Sequence, residues 1–131
     1  MSEQVTNWAG NIVFTAQRVH RPASVPEVQE LVARAERARV LGSGHSFNRI
    51  SDTGGDLISL SAMPRILGIS EDRRSVRVDG GIRYGDLVAQ LDEAGVALHN
   101  LASLPHISVA GAVTTDTHGS GERNHYLADA V

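Results

Sequence analysis

Leu41, Gly42, Ser43, Gly44, His45 and Ser46 combine two chemical capacities in one short segment. A Gly-Ser-Gly turn after an apolar strand points several backbone N–H groups at one spot, and such a nest holds phosphate oxygens without needing a cation. His45 stands inside the turn. Backbone donors beside an imidazole point to a loop that grips a pyrophosphate while one nucleophilic side chain faces a reactive group. The dinucleotide fingerprint of doubly wound folds needs a third glycine and an immediate helix. Here position 47 is Phe and residues 48–55 read as loop. On the turn alone, a plain strand-to-loop connection with a surface histidine is an equal reading.

A second segment, residues 110–121, is built almost wholly of Gly, Ala, Ser and Thr. Small residues let a backbone come close to a ligand. The hydroxyls of Thr114, Thr115 and Thr117 add donors suited to phosphate oxygens. Taken singly, a flexible solvated tail is the preferred reading; two such segments in one small chain suggest a clamp on a pyrophosphate. Between them, Ser103 precedes a proline-braced turn at Pro105, where it either faces a ligand or caps a short helix. His106 and His118 with Asp116 carry metal-ligand chemistry, but no ligand spacing connects them, and no metal is expected. His20, His99 and His125 read as surface or structural residues.

The elements that must position these groups follow from local pattern. Residues 12–15 read as a strand. Ser24 is the expected N-cap of a helix with Pro26 and Glu27 in its first turn. Its apolar stripe of Val28, Leu31, Val32 and Ala35 should run to about Arg37. Residues 38–41 and 57–60 read as short strands. Residues 65–70 and 75–79 read as a hairpin across a charged link, with Val76 and Val78 alternating with Arg77. Gly80 and Gly81 end it. A second helix is expected over residues 84–94, with Leu87, Val88 and Leu91 on one face and Gly95 at its C′ position. Residues 108–114 suit a tight helical turn. The predicted class is α+β, a small mixed sheet packed with helices.

Composition closes several classes. A chain of 131 residues reads as one domain, large enough for a real core. Net charge is −3, which argues against nucleic acid or an anionic membrane as partner. There is no cysteine, so disulfides and thiolate metal sites are out. All 12 Lys+Arg residues are arginine, which removes a Walker-type phosphate loop and any Schiff-base lysine. No apolar run approaches the roughly 20 residues of a bilayer span, and residues 1–10 lack the pattern of a signal peptide. A soluble, cytoplasmic protein is the expectation.

Together the segments carry a resemblance. Val40-Leu41-Gly42-Ser43-Gly44-His45-Ser46 and residues 101–111 resemble the FAD-binding region of alditol oxidases, flavoproteins of the vanillyl-alcohol-oxidase family with a PCMH-type FAD-binding domain. Asn7-Trp8-Ala9-Gly10-Asn11 and Thr117-His118-Gly119-Ser120-Gly121 match the same pattern in the same order, so the resemblance spans almost the whole chain. It implies that residues 1–131 are an FAD-binding domain, its first subdomain plus the second pyrophosphate loop, without the substrate domain. It also implies that the histidine matching His45 is bonded to the 8α-methyl carbon of the flavin. Leu41, Gly42, Ser43, Gly44 and Ser46 would then hold the pyrophosphate. Ala102, Ser103, Ser108, Gly111, Thr114, Thr115, Thr117 and His118 would line flavin and diphosphate. Ser103, by the flavin ring, would touch a polyol substrate.

A neutral imidazole is a nucleophile near neutral pH. The flavin can tautomerise so that its 8-methyl carbon becomes electrophilic, and a held geometry makes attack effectively intramolecular. Attachment is therefore expected to need no helper protein. Where the family usually has glycine this chain has Asp116, whose carboxylate would either crowd the diphosphate or point outward. The family's alcohol oxidation relies on later residues, including a lysine, so these residues alone are expected to oxidise alditols poorly. Without a substrate domain, one flavin face is expected to be open to water or covered by a second copy of the chain. A flavin carrier, or a miniature flavoprotein with unspecific redox or photochemical activity, is the competing expectation. A domain without cofactor is a third.

Overall fold

The computed structural model describes residues 4–65 and 67–131. Met1, Ser2, Glu3 and Ile66 lie outside the described residues, so the readings of the extreme N-terminus and of the first hairpin strand apply there only in part. The chain divides into two compact units, Met1–Pro64 and Arg65–Val131.

The first unit is built on a parallel sheet ordered β1-β3-β2, with β1 Arg18–His20, β2 Ala38–Leu41 and β3 Asp56–Ser59. All four residues of β3 are buried, as a central parallel strand requires. Helix α1, Val25–Arg34, links β1 to β2. Ser24 Oγ accepts from Glu27 N at 3.4 Å, and Glu27 returns a carboxylate oxygen to Ala23 N at 2.7 Å. The N-cap expected from sequence is thus in place. The helix stops at Arg34, three residues short of the expected end, because Ala35 already takes an extended conformation leading into β2.

The strand expected at residues 12–15 does not form; those residues make one antiparallel bridge, Thr6 to Val13. Their donors are taken elsewhere. Ile12 N donates to the Asn7 side-chain oxygen at 3.0 Å, and Thr15 N to Asp52 Oδ1 at 2.7 Å. Ile12 and Phe14 instead supply core, packed with Leu57. The strand forms six residues later at Arg18, where polar residues hid it. Arg18 and Asp56 are direct register partners, and Arg18 and His20 both reach the Asp56 carboxylate.

The second unit opens with the antiparallel hairpin β4 Leu67–Ile69 and β5 Val76–Val78, so parallel and antiparallel pairing occupy separate sheets. Helix α2, Tyr84–Glu93, buries Tyr84, Leu87 and Leu91. Val88, expected on that face, is exposed, and Tyr84 takes its place at helical spacing. Gly95 has φ +68°, Val96 N donates to Leu91 O at 2.9 Å and Gly95 N to Asp92 O at 2.9 Å. This is the Schellman ending that the glycine announced. Arg73, in the turn between β4 and β5, donates to Ala94 O at 2.6 Å and adds a cation to the same helix end. Leu67, Ile69, Val76 and Val78 pack on Ile82, Leu87 and Leu91 to complete this core. The short helix α3, Val109–Thr114, follows.

Candidate functional site

In the first unit, β2 ends at Leu41 and the chain turns through Gly42, Ser43 and Gly44 to His45. Gly44 sits at φ +69°, the left-handed region where a side chain is strained. A Cβ there would lie 3.4 Å from Trp8 N and 3.5 Å from Asn7 Cα. The turn is thus pressed against the N-terminal segment, and hydrogen bonds fix it there. Trp8 N donates to Gly44 O at 2.8 Å, and Asn7 Nδ2 donates to Ser46 O at 3.2 Å. The backbone is clamped on both sides of His45.

Asn7 is the buried anchor. Its amide also donates to Asn11 Oδ1 at 2.8 Å, while its oxygen accepts from Ile12 N at 3.0 Å. Every part of that buried side chain is used, as burial of a polar group demands. The Trp8 and His45 rings stack, centroids 4.4 Å apart and planes 23° from parallel. His45 is half-buried, whereas the Trp8 side chain is largely exposed. In the sequence Asn7 and Trp8 stand only as part of a pattern; their roles rest on contacts nearly forty residues away in the chain.

In the second unit, α2 begins without a side-chain cap. Tyr84 N donates to Ile107 O at 3.0 Å and Gly85 N to Pro105 O at 2.7 Å, so the proline-braced turn itself satisfies the helix's first donors. Val109 N and Ala110 N reach back to Ile82 O and Gly80 O at 2.9 and 3.0 Å. Residues 105–110 are thereby pinned on both sides. Ser108, not Ser103, is the helix cap: its Oγ accepts from Gly111 N at 3.2 Å.

Ala102, Ser103, Thr117 and His118 line one cavity of about 100 Å³, together with Asn100, Leu101, Gly119 and Leu127. Tyr84, Ala112 and Leu127 form the adjoining core, against which Ala102 packs. Burial there pushes the Tyr84 phenol above its ordinary value, which keeps it neutral. Ser108, Gly111, Thr114 and Thr115 belong to α3 and its cap rather than to the cavity lining. The Thr114 hydroxyl lies 2.7 Å from Ala110 O and that of Thr115 2.8 Å from Gly111 O, so both protons point back into the helix. They are left as acceptors rather than the donors expected from sequence. His118 is placed by its own ring: Nδ1 lies 3.0 Å from Gly119 O, and the Tyr126 ring meets it edge-on with centroids 5.0 Å apart. No group of three His, Asp or Glu among the described residues is arranged to hold a metal ion.

Asp116 stands at φ +51°, and Thr117 N donates to Ala112 O at 3.1 Å. This is the longer bond of a Schellman-type ending, with Asp116 at the C′ position that glycine usually fills. The position is thus one where the backbone, independent of any ligand, favours a residue without Cβ.

Comparison with known proteins agrees with this anatomy. Alditol oxidase from a Streptomyces species is 52% identical over 134 aligned residues, covering 100% of this chain and 32% of that protein. Mouse L-gulonolactone oxidase is 35% identical over 132 residues, covering 98% of this chain and 30% of its own length. The chain therefore spans about a third of the length of these curated relatives. Among solved structures, cholesterol oxidase from B. sterolicum superposes with a TM-score of 0.74 at 16% identity, over 89% of this chain and 24% of that one. Aclacinomycin oxidoreductase gives 0.57 at 23% identity, over 77% of this chain and 21% of that one. These structures share the fold: α+β, of the PCMH-type FAD-binding class. Residues 16–131 match the family described as FAD binding domain, and the chain is a member of that family, related to the alditol and sugar-lactone oxidases.

Proposed function

We propose that this chain binds FAD covalently through His45 and serves an oxidase of sugar alcohols. The observation that carries the proposal is the Gly44 turn: a left-handed glycine, clamped by Asn7 and Trp8, places an imidazole beside a run of small residues. The residues fit the cofactor. Leu41 to Ser46 contain no acidic side chain, so a diphosphate held by this turn would meet no repulsion from its side chains. Gly42, Ser43, Gly44 and Ser46 would hold the diphosphate.

When bound, the flavin would supply an electrophilic methyl carbon and an acceptor for the displaced electron pair, with dioxygen as the final oxidant. The chain supplies the rest. His45 provides the nucleophilic nitrogen, and the methyl proton leaves to water. The clamp on both sides of His45 removes the loop freedom that would slow the reaction. Ser103, in the lining of the second unit's cavity, is suited to donate to a substrate hydroxyl.

A role within an oxidase of sugar alcohols, a flavin face open to water or covered by a second copy, and a cytoplasmic setting belong to the proposal. None of the described helices is long and apolar enough to cross a membrane. The test is direct. After incubation with FAD the protein is run on a denaturing gel; a fluorescent band is expected. His45→Ala should abolish the band and retain dissociable FAD, read by equilibrium dialysis. A colourless wild-type band after saturation with FAD would overturn covalent attachment.

A further inference from the structure

We propose that Trp8 is a positioning residue for His45, its indole face fixing the imidazole plane so that a ring nitrogen is held for bond formation. This rests on the covalent role proposed for His45.

The rings lie 4.4 Å apart and 23° from parallel. Their backbones are registered by the 2.8 Å bond from Trp8 N to Gly44 O, one residue before His45. Asn7, one residue before Trp8, bonds Ser46 O, one residue after His45. The two side chains are therefore held as a pair by hydrogen bonds that do not involve either ring. Trp8 is 62% exposed, so the indole is not kept as core.

The nucleophilic lone pair of a neutral imidazole lies in the ring plane. A partner stacked on the face restricts rotation about both side-chain torsions without covering that plane. Restricting those torsions before the cofactor arrives removes part of the entropic barrier to attack. The bond at issue is one N–C bond formed and one C–H bond broken. The proton goes to water and the electron pair to the isoalloxazine, which passes it to dioxygen.

The experiment compares the wild-type chain with Trp8→Phe and Trp8→Leu. Without cofactor, the His45 ring protons, assigned by their loss in His45→Ala, are expected upfield under the indole ring current. Trp8→Phe should keep part of that shift, and Trp8→Leu should return the protons to ordinary positions. With saturating FAD, adduct formation is followed by mass. Trp8→Leu should slow it about tenfold or more, and Trp8→Phe should recover most of the rate. In the His45→Ala background, changing Trp8 to Leu should leave FAD affinity within about twofold, because the effect lies in orientation and not in binding. Adduct formation at the wild-type rate in Trp8→Leu would overturn the proposal and leave covalent attachment standing. So would equal slowing in Trp8→Phe and Trp8→Leu with matching losses of thermal stability, the mark of a structural role alone. A wild-type chain that forms no adduct would remove both readings.

Discussion

Arg18 and Asp56 face each other across the β1–β3 register and meet through two hydrogen bonds, Nε to Oδ1 at 2.6 Å and Nη2 to Oδ2 at 2.9 Å. His20 Nε2 lies 2.7 Å from the same Oδ1. One carboxylate on the central strand thus ties down the edge strand that sequence pattern did not reveal. Bidentate pairing of this kind is the strong form of a charge-assisted bond.

The Arg18 guanidinium, and after it the His20 ring, hold the Asp56 carboxyl well below the usual carboxylate range. A depressed folded-state pKa contributes stability that is present above the unfolded value, about 4, and is lost as pH falls through the folded value. Asp56→Asn is therefore expected to lower the melting temperature by several degrees at pH 7. The gap between wild type and variant should hold steady from about pH 8 to pH 5 and narrow below about pH 4. Thermal melts across that range check it; a gap that widens in acid would contradict the assignment.

Gly44 makes a second case. Its φ of +69° is strained for any residue with a Cβ, while the nearest atoms, at 3.4 and 3.5 Å, permit ordinary contact. The cost of Gly44→Ala is thus conformational, roughly 1–2 kcal/mol. Gly44→Asn should cost less, because Asn tolerates the left-handed region. Chemical denaturation would rank the two variants, and both should bind FAD more weakly than wild type.

Asp116 reverses the sign. At φ +51° in a Schellman ending, Asp116→Gly should stabilise the chain by roughly 1 kcal/mol. It also removes a negative charge from a segment expected to face a diphosphate, so FAD affinity should rise. Asp116→Asn separates the two effects: it keeps the conformational tolerance and loses the charge. An affinity gain in Asp116→Gly alone would assign the benefit to backbone, and a gain shared by both to charge. Calorimetric titration with FAD reads the difference.

What sequence disclosed was what is local. Ser24 with Glu27, and Gly95 after α2, are satisfied by neighbours within a few residues, so their types alone announced the helix ends. The Gly44 turn was legible because glycine pairs and a histidine after a strand leave few other uses. The strand at Arg18 was not, because its partner is separated from it by 38 residues and its outward side chains are polar. Residues 12–15 looked like a strand because their apolar alternation is real, but it fills a core instead of a ladder. The stacking of Trp8 on His45 is similarly long-range. Asp116 stands out in the sequence as a departure from glycine; only its φ shows that a helix ending, before any ligand, sets that preference.

The central position of β3 has a consequence for synthesis. Arg18 to His20 and Ala38 to Leu41 leave the ribosome first, yet neither pairs with the other; both wait for Asp56 to Ser59. Closing loops of that length precedes any reward from pairing, which makes the step slow. A nascent chain halted before Asp56 would carry two unpaired strands and the apolar Ile12 and Phe14 without Leu57 to cover them, a form that invites capture by chaperones.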